Sequence, residues 1–125
     1  QPLHAGHRDD RGGNRFQINL DGRGTNLHAI WDHDLLDSAM LRPRAWLRRL
    51  RAHLPEPGPI EASRWAEVSC AHTNDPGFYP HRPGTLPAGY LEQHRPLAED
   101  RIREAGVRLA ALLDAALQAQ AATAD

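Results

Sequence analysis

A long apolar stripe at helical spacing, lying within residues 89–119, limits the possible folds more than any other feature of this sequence. Its members are Ala98, Ile102, Ala105, Leu109, Leu112 and Ala116. Side chains that recur every three or four positions share one face of a helix, so the stripe predicts a long helix whose apolar face is buried in a core. Pro96 should kink this helix or restart it, because proline removes a helical hydrogen bond.

Three shorter helices are predicted upstream of the long one. The first begins at Thr25 or Asn26, which are both good N-cap residues, and ends near Asp37. The second covers 42–54 and the third covers 60–73. Their expected buried residues are Leu27, Ile30 and Trp31 in the first helix, Trp46, Leu47, Leu50 and Leu54 in the second, and Ile60, Trp65, Val68 and Ser69 in the third.

One short segment has the alternation of a strand instead. In "RFQINL", residues 15–20, apolar side chains alternate with polar ones, and Asp21-Gly22 follows directly. This pattern predicts a strand that enters a tight hairpin turn. Residues 74–88 contain four prolines and two glycines and are predicted to form a loop. The expected fold class is therefore all-α with one small β-hairpin.

Composition and charge limit the possible functions. The 125 residues suffice for one domain or part of one, and no apolar run approaches the length of a membrane span. The net charge is −1 with neutral histidines, so the chain has no overall basic field that would attract nucleic acid, and such binding would need a local site. Cys70 is the only cysteine, which excludes a disulfide within the chain, and we expect it to be a small buried apolar residue.

A possible metal-binding pair lies on the first predicted helix. His28 and Asp32 are four positions apart, so their side chains leave the same helical face at the edge of its apolar stripe. Imidazole nitrogen and carboxylate oxygen are both zinc ligands, and three protein ligands with one open position are typical of a catalytic zinc. A structural site rich in cysteine is excluded because only one cysteine is present.

His4 is the candidate for the third ligand. It lies far upstream of His28, so the predicted hairpin would have to bring the two imidazoles together. From spacing alone, the alternative stays open that His28 and Asp32 are an exposed polar pair. The same residue types occur at His7, His33 and Asp34. His33 and Asp34 point away from the His28 face of the helix.

Three short blocks occur in order near the start of the chain: QPLH at 1–4, DRGGN at 10–14 and NLHAIWD at 26–32. Two later segments follow, SRWAEVS at 63–69 and AGVRLAALLD at 105–114. Together they resemble the zinc-dependent single-strand nucleases of the nuclease S-one and nuclease P-one type. That family has a mostly helical fold, which it shares with bacterial zinc phospholipase C.

The resemblance implies an activity and a cofactor. The family holds a cluster of three zinc ions, cleaves phosphoester bonds in RNA and single-stranded DNA, and removes phosphate from 3′-nucleotides. By resemblance, His4, His28 and Asp32 are the protein ligands of one zinc. The remaining zinc ligands of the family lie upstream of the Gln-Pro-Leu-His block and are not in this chain.

The resemblance also suggests roles for the Gly-Gly-Asn block. Asn14 would donate a hydrogen bond to a phosphate oxygen of the substrate. Gly12 and Gly13 would let the backbone approach that substrate closely. The alternative is that the Gly-Gly-Asn block only makes a turn. Asp10 would accept a hydrogen bond from the imidazole of a ligand histidine.

Residues 1–125 are therefore expected to be the C-terminal part of a single nuclease domain, whose partner is the N-terminal half of the same enzyme. The family further implies a secreted or periplasmic protein with a single-stranded nucleic acid or nucleotide as substrate. Two alternatives remain open: a hydrolase like zinc phospholipase C, and a non-catalytic zinc-binding fragment when this part is isolated. The Gly-Gly-Asn and Asn-Leu-His-x-x-Trp-Asp blocks favour the nuclease.

Overall fold

The fold is mostly helical with a small sheet, as a computed structural model of residues 1–6 and 9–122 shows. The elements in chain order are a 3₁₀ turn (Pro2–Ala5), strands β1 (Gln17–Leu20) and β2 (Arg23–Asn26), helix α1 (Leu27–Ala29), a π turn (Ile30–Asp34), helices α2 (Leu35–Asp37), α3 (Pro43–Arg51) and α4 (Ala62–Thr73), strand β3 (Gly84–Thr85) and helix α5 (Tyr90–Ala122). The predicted fold class, all-α with one small β-hairpin, is confirmed.

The hairpin forms where the alternation predicts it. Strands β1 and β2 are antiparallel and pair Ile18 with Thr25. Asp21 and Gly22 connect them with φ values of 51° and 84°, the left-handed conformations that a tight hairpin turn requires. The sheet also has a third strand, because β3 pairs in parallel with the other edge of β1. The sequence predicted only loop for this segment, since a two-residue strand has no alternation to detect.

The predicted helix from 26 to 37 forms, with a π turn at its centre. Asn26 is its N-cap, and the Asn26 side-chain oxygen accepts a hydrogen bond of 2.9 Å from the backbone N–H of Ala29. The backbone N–H of Leu35 bonds to the carbonyl oxygen of Ile30, five residues back. Single π turns of this kind are rare and occur often at functional sites.

The hydrophobic core surrounds this helix. It contains the buried side chains of Leu3, Ile18, Leu27, Ile30, Trp31, Leu35, Phe78, Tyr90 and Ala98. Four of these residues belong to the helix itself, and the others come from the 3₁₀ turn, the hairpin, the loop after α4 and the first turns of α5. The core therefore fixes the backbone that bears His28 and Asp32.

Outside this core, the predicted burial is wrong for several apolar residues. On α5 only Ala98 of the stripe is buried, and Leu109 is 58% exposed. Leu47 and Leu54, expected on the buried side of the predicted helix 42–54, are 56% and 54% exposed, and Leu54 lies beyond the end of α3. Periodicity identifies an apolar face, but whether anything covers that face depends on tertiary packing. Among the described residues, none covers Leu109, Leu113 and Leu117 in the second half of α5, which are each more than half exposed.

Helix α5 continues through Pro96, so the helix does not restart there. Two smaller expectations also fail. Ile60 precedes α4 and is 51% exposed. Cys70 lies on the exposed side of α4, so it is not a core residue.

Candidate metal centre

The structure brings His4, His28 and Asp32 together. Each residue offers one ligand atom, and these atoms all lie within 4.8 Å of one another. The His4 and His28 rings are stacked, with centroids 5.3 Å apart and planes inclined by 29°. The Nε2 atom of His28 is 3.3 Å from the Oδ2 atom of Asp32. Two imidazoles and a carboxylate therefore converge from two separate segments of the chain.

His4 is placed by the 3₁₀ turn that opens the structure. Pro2 and Leu3 are buried in this turn, and Pro2 occupies its first position, where proline is tolerated. Helix α4 packs against the turn from the other side. Because Pro2 and Leu3 are anchored in this way, the exposed His4 side chain is held close to the His28 ring.

His28 is oriented by a backbone carbonyl. Its Nδ1 atom lies 2.8 Å from the carbonyl oxygen of Gly12. Because a carbonyl can only accept, this contact requires the proton on Nδ1 and leaves the Nε2 lone pair free. A hydrogen bond from the second ring nitrogen to a carbonyl is the usual way in which a metal-binding histidine is held.

The two glycines of the Gly-Gly-Asn block make this contact possible. Gly12 has φ +64°, and a Cβ atom there would lie 2.7 Å from the carbonyl oxygen of Leu3. A Cβ atom on Gly13 would lie 3.1 Å from the backbone nitrogen of His28. The structure thus gives these glycines a packing role between the 3₁₀ turn and the His28 helix, where the sequence suggested approach to a substrate.

Asp32 is held by Gln1. The Gln1 side-chain amide donates a short hydrogen bond to Oδ1 of Asp32, and the same nitrogen lies 3.3 Å from the carbonyl oxygen of His28. Asp32 stands in the π turn and directly follows the buried Trp31. Its second oxygen, Oδ2, is the one that faces His28.

These residues fit a zinc ion. The donor set is two imidazoles and one carboxylate, with the Nε2 atom of His28 3.3 Å from the Oδ2 atom of Asp32. The side chains of His28 and Asp32 are 20% and 47% exposed, and His4 is exposed as well. Because His4 and Asp32 are exposed, the cluster is accessible from the solvent.

The two remaining predicted site residues lie in the loop between the 3₁₀ turn and β1. Asn14 is exposed, and its side-chain amide donates a hydrogen bond of 2.9 Å to the carbonyl oxygen of Arg11. Asp10 accepts a hydrogen bond of 2.6 Å from the hydroxyl group of Tyr79. The structure therefore does not show the expected bond from a ligand imidazole to Asp10, since the Nδ1 atom of His28 is engaged by a carbonyl instead.

Neither His33 nor Asp34 belongs to the metal cluster. The Asp34 carboxylate accepts a hydrogen bond of 2.7 Å from Arg23 on β2, and the Nδ1 atom of His33 lies 3.4 Å from the same oxygen. These contacts tie the π turn to the hairpin. His7 lies outside the described residues.

An aromatic cluster packs directly beneath the ligand-bearing π turn. Trp31 stacks on Phe78 with centroids 4.4 Å apart, and Tyr90 stacks on His94 at 4.1 Å. Burial raises the pKa of the Tyr90 hydroxyl. Burial also lowers the pKa of His94, although hydrogen bonds to the backbone of Tyr90 and Gly77 oppose this shift. Burial thus favours the neutral form of His94, whose ring packs against those of Trp31, Phe78 and Tyr90 and lies outside the cluster of possible metal ligands.

The sequence matches one family model, described as S1/P1 nuclease, over residues 1–118. The chain belongs to the S1/P1 nuclease family. The match includes every residue of the candidate metal centre, and it confirms the family that the sequence blocks resembled.

Curated relatives of this S1/P1 nuclease chain are plant endonucleases. Endonuclease 4 and Endonuclease 5 of Arabidopsis thaliana are each 29% identical to it, and the alignments cover 91% of this chain and 45% of each relative. Endonuclease 3 of the same plant is 27% identical over 91% of this chain and 46% of its own length. The chain thus spans a little under half the length of the relatives that it matches.

Sequence reasoning missed three groups in this S1/P1 nuclease site: the Gln1 amide, the Gly12 carbonyl and the Tyr79 hydroxyl. The Gly12 carbonyl is backbone and has no residue signature, although the adjacent glycine pair indicated an unusual backbone. Tyr79 reaches the site from a distant loop, so no local spacing could reveal it.

Among the described helices, none combines the length and apolarity needed to cross a bilayer.

Proposed function

We propose that this chain provides one complete zinc site of a nuclease that hydrolyses phosphoester bonds in RNA and single-stranded DNA and removes phosphate from 3′-nucleotides. The observation that carries the proposal is the convergence of His4, His28 and Asp32 within 4.8 Å in a chain of the S1/P1 nuclease family. The endonuclease names of its relatives support a nucleic acid as substrate.

A zinc ion, when bound, supplies Lewis acidity that polarises a phosphoryl oxygen. The protein positions the ligand atoms. The contact with the Gly12 carbonyl keeps the Nε2 lone pair of His28 available, and Gln1 occupies one oxygen of Asp32 so that the other oxygen can act as a ligand. The exposure of His4 leaves the outer side of the cluster open to a phosphate group.

Asn14 is the proposed contact to the substrate phosphate. Its amide nitrogen uses one hydrogen for the Arg11 carbonyl, and the second hydrogen can be donated to a phosphate oxygen. Asn14 is exposed and lies in the same loop as Gly12, whose carbonyl contacts His28. Asp10 contributes indirectly, because its carboxylate binds Tyr79 and so attaches this loop to the rest of the fold.

The complete site would need the N-terminal half of the same enzyme, with a cluster of three zinc ions in all. Two observations support this division. The chain covers a little under half of its relatives, and helix α5 exposes an unusually apolar surface. That surface includes Ile102, Leu109, Leu112, Leu113 and Leu117. In line with the family, we further propose that the protein is secreted or periplasmic.

The decisive experiment compares two single histidine variants of the full-length protein. His28→Ala should lose one zinc per chain and most of its release of acid-soluble nucleotides from single-stranded DNA and RNA. His33→Ala is the matched control, because His33 is a neighbouring histidine of the same helix outside the cluster. Zinc content is measured by elemental analysis. Unchanged zinc content and an unchanged rate in His28→Ala would refute the ligand assignment.

Substrate class and the split site are tested with the same protein. A nuclease should release phosphate from a 3′-nucleotide and leave phosphatidylcholine intact, whereas a phospholipase C would release phosphocholine. Residues 1–125 alone should bind zinc but lack activity, and activity should appear when the upstream residues are restored. Full activity of residues 1–125 alone would contradict the split site.

A further inference from the structure

The hydroxyl group of Tyr79 reaches the loop that orients the metal ligand His28. It donates a hydrogen bond of 2.6 Å to Oδ2 of Asp10. The Tyr79 ring also meets the Phe16 ring edge-on, with centroids 5.5 Å apart. Tyr79 belongs to the proline-rich segment after α4, so these contacts join two parts of the chain that are far apart in sequence.

Residues 9–16, here called the orienting loop, are held together by backbone hydrogen bonds within the loop. The backbone N–H of Arg15 donates to the carbonyl oxygen of Asp10 at 2.9 Å, and that of Phe16 donates to the carbonyl oxygen of Gly13 at 3.1 Å. Gly12 lies within the turn that the first of these bonds closes, and its carbonyl oxygen is 2.8 Å from Nδ1 of His28. A displacement of Asp10 is therefore transmitted to the carbonyl that orients the imidazole.

We propose that Tyr79 is a positioning residue for the metal site: its hydrogen bond to Asp10 fixes the orienting loop, and with it the Gly12 carbonyl that directs Nε2 of His28 toward the metal. This inference rests on the proposed zinc site and extends it to a residue outside the ligand set. Tyr79 touches neither the metal nor the substrate in this assignment. It acts through Asp10 and the loop.

The environment of Tyr79 suits a permanent donor. Burial, followed by the hydrogen bond to Asp10, raises the pKa of the Tyr79 hydroxyl well above that of a free tyrosine. The hydroxyl group is therefore protonated at neutral pH and can donate to Asp10. A tyrosine side chain has only two torsions before its hydroxyl group, so fixing it against Asp10 costs little conformational entropy.

The test follows the affinity for one zinc ion in the full-length protein. The relevant ion is the one that the His28→Ala variant lacks, and its affinity is obtained by titration with a chelator. Loss of groups that orient metal ligands typically weakens metal binding by about 10- to 100-fold. Because Tyr79 acts one step further out, we expect Tyr79→Phe to weaken zinc binding by about tenfold, at the lower end of that range.

A double variant separates positioning from general destabilisation. Asp10→Ala breaks the same bond as Tyr79→Phe, so the double variant should bind zinc about as weakly as the weaker single variant, which is non-additive behaviour. Ser38→Ala is the control: it also removes one hydroxyl, which bonds to Leu35 and Arg95 far from the orienting loop. It should lower the thermal midpoint and leave the zinc affinity unchanged.

Three outcomes would overturn the proposal. These are a Tyr79→Phe variant whose zinc affinity is within about twofold of the parent, strictly additive losses in the double variant, and an equal loss of affinity in Ser38→Ala. All affinities are compared at a temperature at which circular dichroism shows every variant folded. If the parent protein itself bound no zinc at this site, the proposed function would fail instead, so the two failures are distinguishable.

Discussion

The indole nitrogen of Trp31 donates a hydrogen bond of 3.0 Å to the hydroxyl oxygen of Tyr90. The same hydroxyl donates a hydrogen bond of 2.6 Å to the carbonyl oxygen of Phe78. These two bonds join three elements: the π turn, helix α5 and the loop after α4. Because Trp31 directly precedes Asp32, these bonds tie the backbone beside a proposed metal ligand to the buried core.

Tyr90→Phe should therefore lower the free energy of unfolding by about 2 to 3 kcal/mol, since the indole N–H and the Phe78 carbonyl would both lose a buried partner. The ring itself is retained, so the loss reports on the hydroxyl group alone. Urea unfolding of residues 1–125, monitored by tryptophan fluorescence, measures the difference in the free energy of unfolding between parent and variant. A loss below about 0.5 kcal/mol, the range of ordinary surface substitutions, would show that the two bonds are not formed.

Both tyrosines of the chain should resist ionisation while it is folded. The chain contains two tyrosines, and burial is the largest cause of the raised pKa at each. Because the pKa is raised in the folded state, the unfolded chain ionises first, and stability falls as the pH rises above about 10. Absorbance at 295 nm should show little tyrosinate in the folded chain at that pH and about half-ionisation in urea. Coincident titration curves would contradict this prediction.

His94 should make the fold less stable in mild acid. Burial lowers the pKa of His94 in the folded state. Below about pH 6.5 its imidazole is therefore more protonated in the unfolded chain than in the folded chain. The free energy of unfolding should therefore fall as the pH drops below that value. In a His94→Asn variant this part of the pH dependence should disappear, which urea unfolding at pH 7.5 and pH 5.5 would measure. If the free energy of unfolding fell by the same amount between pH 7.5 and pH 5.5 in both proteins, His94 would be excluded as the cause.

Local sequence signals predicted much of this structure correctly. The N-cap at Asn26 and the turn at Asp21-Gly22 depend on side chains and backbone angles within a few residues, and both are as expected. The spacing of His28 and Asp32 likewise places both side chains on one side of their helix. Such features need only near neighbours, and the sequence shows near neighbours directly.

Features that depend on distant segments were not predictable in this way. The π turn at Ile30–Asp34 has no recognised residue pattern, and the bond from Tyr79 to Asp10 joins separate loops. The proximity of His4 to His28 followed from the family resemblance and not from spacing. The outer part of α5 shows the reverse error, because its periodicity indicated burial that the described residues do not provide.

The difference between covered and uncovered apolar faces can be measured with one matched pair of substitutions. Leu35 is fully buried in the core, whereas Leu113 on α5 is 55% exposed. In residues 1–125, Leu35→Ala should cost about 2 to 5 kcal/mol of stability, and Leu113→Ala should cost about 0.5 kcal/mol or less. Urea unfolding compares the two variants. Equal losses would mean that Leu113 is buried by contacts that the structure does not contain.

Gly12→Ala should damage both the fold and the metal site, and Gly22→Ala shows how much of that damage comes from backbone strain alone. Both glycines have positive φ, at +64° and +84°, so alanine costs about 1 kcal/mol at either position. At Gly22 the added Cβ atom meets nothing within 4 Å, whereas at Gly12 it lies 2.7 Å from the carbonyl oxygen of Leu3. We therefore expect Gly12→Ala to cost about 2 to 4 kcal/mol. Because this clash displaces backbone next to the carbonyl that contacts His28, Gly12→Ala should also lose zinc while Gly22→Ala retains it. Equal stabilities and equal zinc contents for the two variants would refute the packing role of Gly12.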